Sequence, residues 1–304
     1  MTAPERYPMS LGRNGARIVA YIPYIWLLAL FLAPFLIVLK ISFAGVVLAQ
    51  PPYTPLFDLG GGTVRLLGSF DNYFALIDDS LYIRAYAGSL RIAFESTLIA
   101  LGLALPMAYG LSRAPLTVRP LLVAAAVLPF WTSFLIRVYA WIGILKPEGW
   151  LNAGLSLLGF GEHRLAILDT EAAVVIGMVY SYLPFMLLPL YASLEKLDFT
   201  LLEAAADLGC RPARAFWSVT FPLALPGVIA GCLLMFIPAV GEFVIPDLLG
   251  GSSTLMIGKT LWVEFFVNRD WPLASAATVV LVLLLMVPLA AIQRRQSRLL
   301  RGLE

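Results

Sequence analysis

Six stretches of this chain stay apolar for about 20 residues or more, and a chain so built has few ways to fold. They run near Ile18–Val47, Ala87–Leu111, Leu121–Leu145, Ala172–Ser193, Leu223–Ile245 and Leu273–Ile292. A hydrocarbon core of roughly 30 Å takes about 20 helical residues to cross. Inside it every backbone N–H and C=O must find its partner within the segment, so each stretch reads as a helix. The expected fold class is an all-α membrane protein with six transmembrane helices. Composition agrees: 60% of residues are hydrophobic and 13% charged, where a soluble domain carries about 25% charged. The net charge of +2 leaves no nucleic-acid footprint.

The first apolar run is too long for a signal-peptide core and shows no clear cleavage site, so it reads as a retained span. Residues 1–17 form a polar tail, 18–292 one transmembrane domain, and 293–304 a basic tail. Six spans place both termini on one side. With that side cytoplasmic, Arg6, Arg13, Arg17, Arg113, Arg119, Lys196, Arg211, Arg214, Arg294, Arg295, Arg298 and Arg301 lie inside. Arg65, Arg84, Lys146, Arg164, Lys259 and Arg269 lie outside, half as many. The positive-inside rule therefore expects cytoplasmic N- and C-termini. Acids lean outward, among them Asp79, Glu171, Asp247, Glu264 and Asp270, which suggests an anionic outer vestibule that gathers cations. Cys210 and Cys232 fall on a loop and in a span, too far apart to bridge. The single histidine, His163, leaves no basis for a histidine-rich metal site, and no catalytic or metal-ligating set is expected.

The longest polar interruption among the later spans is the loop 194–222, and it is patterned. Thr200 can cap a helix that carries Glu203 in its first turn, where the helix dipole favours an acid. Gly209 stops that helix, Pro212 opens a second from Ala213 to Val219, and Pro222 ends it. Glu203-Ala204-Ala205, Gly209, Val219, Phe221 and Pro222 together resemble the EAA loop of ABC importer permeases. The family pattern prefers Ile and Leu where this chain has Val219 and Phe221, which keeps the apolar character. The resemblance implies that Glu203, Ala204, Ala205, Gly209 and Pro222 belong to a coupling helix docked on a cytoplasmic ATPase, with Glu203 paired to a basic group there.

Gly258-Lys259-Thr260 has the look of a Walker A ending, but position 253 is Ser253 where that motif needs glycine. ATP chemistry is therefore expected elsewhere. Charges inside spans cost about 2.5–3.5 kcal/mol each by insertion scales, so each asks for a reason. Arg91 and Glu95 stand four residues apart and can neutralise one another. Arg137, with Ser133 and Trp141 one turn away on either side, suits a cation–aromatic contact. Glu242 follows Pro238 and Gly241, a sequence that should break the fifth span, and has no base one turn away. Broken helices at depth line cavities, so Glu242 and Asp247 are candidate substrate contacts. Trp131 and Tyr139 on one face of the third span, with Tyr180 in the fourth, would supply aromatic faces to an ammonium ion.

The run Pro129-Phe130-Trp131-Thr132-Ser133-Phe134-Leu135-Ile136-Arg137 looks like the third-span signature of putrescine and spermidine importer permeases. So does Gly241-Glu242-Phe243-Val244-Ile245-Pro246-Asp247-Leu248-Leu249-Gly250-Gly251. The likeness implies the type I ABC importer fold in the bacterial inner membrane. It also implies a second homologous permease, two ATPase subunits that bind the ATP and magnesium, and a periplasmic substrate-binding protein. No cofactor is expected in this chain. Related permeases carry opines, aminoethylphosphonate or other amine-bearing solutes, and an ATP-independent secondary carrier is the rival outside the family.

Overall fold

The computed structural model describes residues 21–58, 65–159, 165–198, 200–252 and 254–301. His163 and the polar tail before residue 18 lie outside the described residues. The chain divides into two compact units, one of residues up to 76 together with 268 onward, the other of residues 77–267.

In the first unit, α1 (Tyr21–Ile41) carries no charge before Lys40 in its last turn, and its last half packs against α12 (Trp271–Arg301). The loop after α1 is fastened to the short α2 (Asp71–Asp78). Asn72 Nδ2 donates to the carbonyls of Ser42 and Ala44 at 2.9 and 2.8 Å. A two-stranded antiparallel ribbon, β1 (Phe57–Asp58) with β2 (Arg65–Leu66), completes it, with Phe57 opposite Leu66.

The second unit is organised by α3 (Ser80–Arg113). Its buried positions include Ser89, Ile92, Ala93, Ser96, Thr97, Ala100, Ala104 and Ala108, one stripe of mostly small side chains at helical spacing. Without a hydrophobic drive between helices in lipid, such stripes let backbones approach and make packing the adhesive. There α3 meets α7 (Glu171–Leu194) and α9 (Pro212–Val240), with Ala100 and Ala104 against Met186, Leu190 and Val228. Gly231 is required by this approach, since a Cβ there would stand 2.9 Å from the Met186 carbonyl oxygen.

Contacts fix the directions. Arg91 meets Glu171 and Ser96 meets Met178, so α3 and α7 run parallel. Gly227 lies by Ser193 and Gly231 by Met186, so α7 and α9 run antiparallel. The chain must therefore cross back between α3 and α7. It does so through α4 (Arg119–Trp131) and α5 (Phe134–Leu145), the latter followed by α6 (Trp150–Leu157). Among the described residues five helices are long and apolar enough to span, and this bent pair, taken as one span, brings the crossings to six.

Two expectations need correction here. The third span is not one straight helix over Leu121–Leu145: its halves, Arg119–Trp131 and Phe134–Leu157, meet at 88° across Thr132 and Ser133. Pro129 takes the chain into a 3₁₀ turn, and Ser133 is extended rather than helical. Nor does Pro222 end the second helix of the polar loop. The backbone widens into a π-helical turn over Phe216–Thr220, and α9 runs on unbroken into the span. Proline lacks the N–H of an ordinary turn, and the wider turn accommodates it.

Candidate functional site

The loop before α9 is built from local rules. Thr200 is the first residue of α8 (Thr200–Asp207) and not its cap; Asp198 Oδ1 accepts the Thr200 N–H at 3.0 Å. That bond holds the Asp198 carboxyl below its ordinary range. Gly209 takes φ +78°, and the Gly209 and Cys210 N–H groups return to the carbonyls of Ala206 and Ala205 at 2.8 and 3.0 Å. This paired closure satisfies the helix C-terminus and turns the chain within two residues. Glu203 is exposed in the first turn, as the sequence led one to expect. It borders a cavity of about 320 Å³ with Arg113, Tyr109, Cys210 and Phe216. Ala204 beside it is exposed, and Pro222 lies inside α9.

Two features of this loop escaped the sequence reading. Leu208 is 89% exposed, and Leu201 and Trp217 are exposed with it, which gives the loop an apolar surface. An apolar residue directly before the helix-stopping glycine was the available signal. Arg119 is the second. Its Nη2 donates to the carbonyls of Ser112 and Ala114 at 2.8 and 3.0 Å, and its Nη1 reaches Glu195 at 3.4 Å. One guanidinium thereby joins the ends of α3 and α7 beneath the loop.

Glu242 stands at the other end of α9, about 30 Å from Pro222 for a helix rising 1.5 Å per residue. Both its oxygens are engaged. Oε1 accepts the N–H groups of Phe243, Val244 and Ile245 at 3.1, 2.9 and 3.4 Å, which caps α10 (Val244–Leu249). Oε2 accepts a hydrogen bond from the Tyr182 hydroxyl of α7. The residue is only 8% exposed. In this arrangement the carboxylate holds the break between α9 and α10 together. Asp247 is half exposed, and Lys259 Nζ lies 3.5 Å from it while also donating to the Gly251 carbonyl. Gly258, the glycine of the apparent nucleotide motif, opens α11 (Ile257–Trp262) where that helix presses on the Glu242 backbone.

The candidate aromatics do not join these acids. Trp131 is 86% exposed just before the break in the third span, so it does not share a straight helix with Tyr139. Tyr139 is exposed, and Tyr180 meets Trp141 edge-on at 5.4 Å. Among the described residues no hydrogen bond, ion pair or ring contact links any of the three to Glu242 or Asp247. Arg137 has its cation–aromatic contact, with different rings: the guanidinium lies 5.0 Å from the Phe130 centroid and 5.8 Å from that of Phe134. Its Nε and Nη1 are buried without hydrogen-bond partners. Arg91 pairs with Glu171 at 2.5 Å and not with Glu95. Much of the acidic bias is likewise local. Asp79 and Asp270 accept backbone N–H groups near the starts of α3 and α12, and Glu264 is buried against the Tyr82 hydroxyl.

Comparison with known proteins gives these parts a context. Residues 96–302 match the family model described as the binding-protein-dependent transport system inner membrane component. The spermidine/putrescine transport system permease protein PotB of Escherichia coli is 44% identical over 237 residues, 78% of this chain and 86% of that protein. Its counterpart in Haemophilus influenzae is 39% identical over 294 residues, 97% and 98% of the two chains. Among solved structures, a chain of a bacterial ABC transporter that imports the polysaccharide alginate superposes with a TM-score of 0.69. That likeness covers 94% of this chain and 96% of the other at 17% identity, and so bears on fold alone. The fold is that of ABC importer permeases, in a multi-pass protein of the inner membrane. With two thirds of its length inside the family model and such relatives over nearly all of it, the chain belongs to the inner membrane components of binding-protein-dependent transport systems.

Proposed function

We propose that this chain is one half of the pore of an ATP-driven importer of polyamines, putrescine or spermidine. The observation that carries the substrate class is the 39% identity with a spermidine/putrescine permease over 97% of the chain. The Glu203 loop supports the machine. Hydrogen bonds close α8 at both ends, and the loop presents Glu203, Ala204 and the apolar Leu201, Leu208 and Trp217 at its surface. Such a surface suits a groove on a cytoplasmic ATPase subunit, with a base to meet Glu203. Termini and loop lie on the cytoplasmic side in this reading, as the arginine bias requires.

A homologous permease completes the pore, two ATPase subunits bind ATP and magnesium, and a periplasmic protein delivers the solute. ATP hydrolysis belongs to the ATPase subunits. Closure of the ATPase dimer moves α8 and, through it, α9, so that the pore alternates its opening. Glu242 holds the α9–α10 break through that movement, while Asp247, Trp131, Tyr139 and Tyr180 are candidate contacts along the path.

The test is ATPase activity of the assembled complex in nanodiscs with its binding protein, titrated with putrescine, spermidine and an opine. Stimulation by a polyamine that disappears in Glu203→Ala is the expected result. Stimulation by the opine alone would keep the machine and overturn the substrate. Purification without any ATPase subunit would favour a secondary carrier and sink the importer reading.

A further inference from the structure

The pairing that the spacing of Arg91 and Glu95 invites does not form. Arg91 Nη2 donates to both carboxylate oxygens of Glu171, at 2.6 and 2.5 Å, across to the start of α7. Glu95 is left exposed, with no hydrogen bond or ion pair among the described residues. It sits one helical turn deeper along α3 than the Arg91–Glu171 pair, about 6 Å. The exposed residues around it, Phe94, Leu98 and Ile99, are apolar, while the opposite face of α3 is packed on the core.

A carboxylate at such depth is retained where it faces a polar path or an opposite charge. The local charges say which sign it awaits. Glu171 neutralises Arg91, so the group as a whole carries the one uncompensated negative charge of Glu95. Glu242 differs in kind, since its lone pairs are taken by three backbone N–H groups and the Tyr182 hydroxyl. Two turns beyond Glu95 on the same stripe comes Gly102, where a Cβ would meet nothing within 4 Å. Glu95 and Gly102 thus lie on one exposed stripe of α3.

We propose that Glu95 lines the solute path and binds an ammonium group of the transported amine. This rests on the amine-import reading given above. A flexible diammonium solute would exchange its water for this carboxylate as it enters, and a single exposed charge holds it weakly enough for release.

Two measurements on the complete complex with its binding protein test it. The first is putrescine uptake into proteoliposomes by wild type, Glu95→Gln and Glu95→Asp. Loss of one charged hydrogen bond predicts uptake about tenfold slower for the glutamine variant, with most of the rate restored by aspartate. The second is Glu95→Cys in a Cys210→Ser, Cys232→Ser background, treated with a cationic thiol reagent. Labelling that putrescine slows is the expected result, and a merely structural role would not produce it. Uptake by Glu95→Gln within about twofold of wild type, or a thiol that never labels, overturns the assignment while the import reading stands. Absence of putrescine uptake by the wild-type complex brings down the import reading, and this inference with it.

Discussion

A Cβ placed on Gly258 would stand 2.4 Å from the carbonyl oxygens of both Gly241 and Glu242, and backbone atoms cannot swing aside as a flexible side chain can. Gly258→Ala should therefore destabilise the fold by about 1–3 kcal/mol, the range for overpacking, read as a lower melting temperature of the purified complex. The same segment was legible in sequence as a false nucleotide motif, but the reason for its glycine was not. That reason is a contact with residues 16 and 17 positions earlier. Glu242 shows the opposite case. A carboxylate placed just before Phe243-Val244-Ile245 carries a local capping signal, yet depth and a missing base made it read first as a substrate contact. As a cap it makes a distinct prediction. Glu242→Ala should cost about 1–3 kcal/mol, and Glu242→Gln clearly less, because the amide oxygen can still accept the three N–H groups. Equal loss of thermal stability in the two variants would count against the cap. Arg91 was paired with the wrong acid for a related reason: four-residue spacing is visible in a sequence, whereas a partner 80 residues on is not.

The helix–glycine–helix loop was the most readable element, since its signals are all local: an acid in the first turn, glycine after the last, proline at the next start. Gly209→Ala tests the turn by itself. With nothing within 4 Å of the added methyl, the cost is conformational, about 1–2 kcal/mol for forcing a side chain into the left-handed region. The expected result is normal membrane insertion with less solute imported per ATP hydrolysed, measured on the reconstituted complex. The start of α8 responds to acid. The Asp198 carboxyl is held below its ordinary value of 3.8, first by the Thr200 backbone N–H and then by the Thr200 side chain. A depressed value means the cap is complete above pH 3.8 and fades as pH falls through the lower, folded value. The protection of the Thr200 amide against hydrogen exchange, taken relative to its intrinsic rate at each pH, should fall only in that acid range. What could not be read was geometry set by register. The π-helical turn at Phe216–Thr220 and the 88° break in the third span leave hydropathy untouched, so a straight span and a terminated helix looked equally good.

Crossing number was legible throughout, because each crossing needs its own apolar stretch, and the parallel run of α3 and α7 fixes the one that is bent. Six crossings and the arginine bias make an expectation for the entire chain. Green fluorescent protein fused after Glu304 should fluoresce, and alkaline phosphatase fused there should stay inactive. Inserted after Leu158, between α6 and α7, the phosphatase should be active. The reverse pattern would turn the molecule over and remove the Glu203 loop from any cytoplasmic ATPase. The uninterrupted passage of the chain through Pro222 has a mechanical consequence. From Pro212 to Val240 the helix is continuous, so the second helix of the polar loop and the fifth span form a single rod of 29 residues, about 43 Å long. A rod has no slack. If it pivots near Pro212, each 10° or so of tilt carries its far tip through about 7.5 Å, and that tip ends beside Glu242, where the capped break with α10 serves as the hinge that receives the stroke.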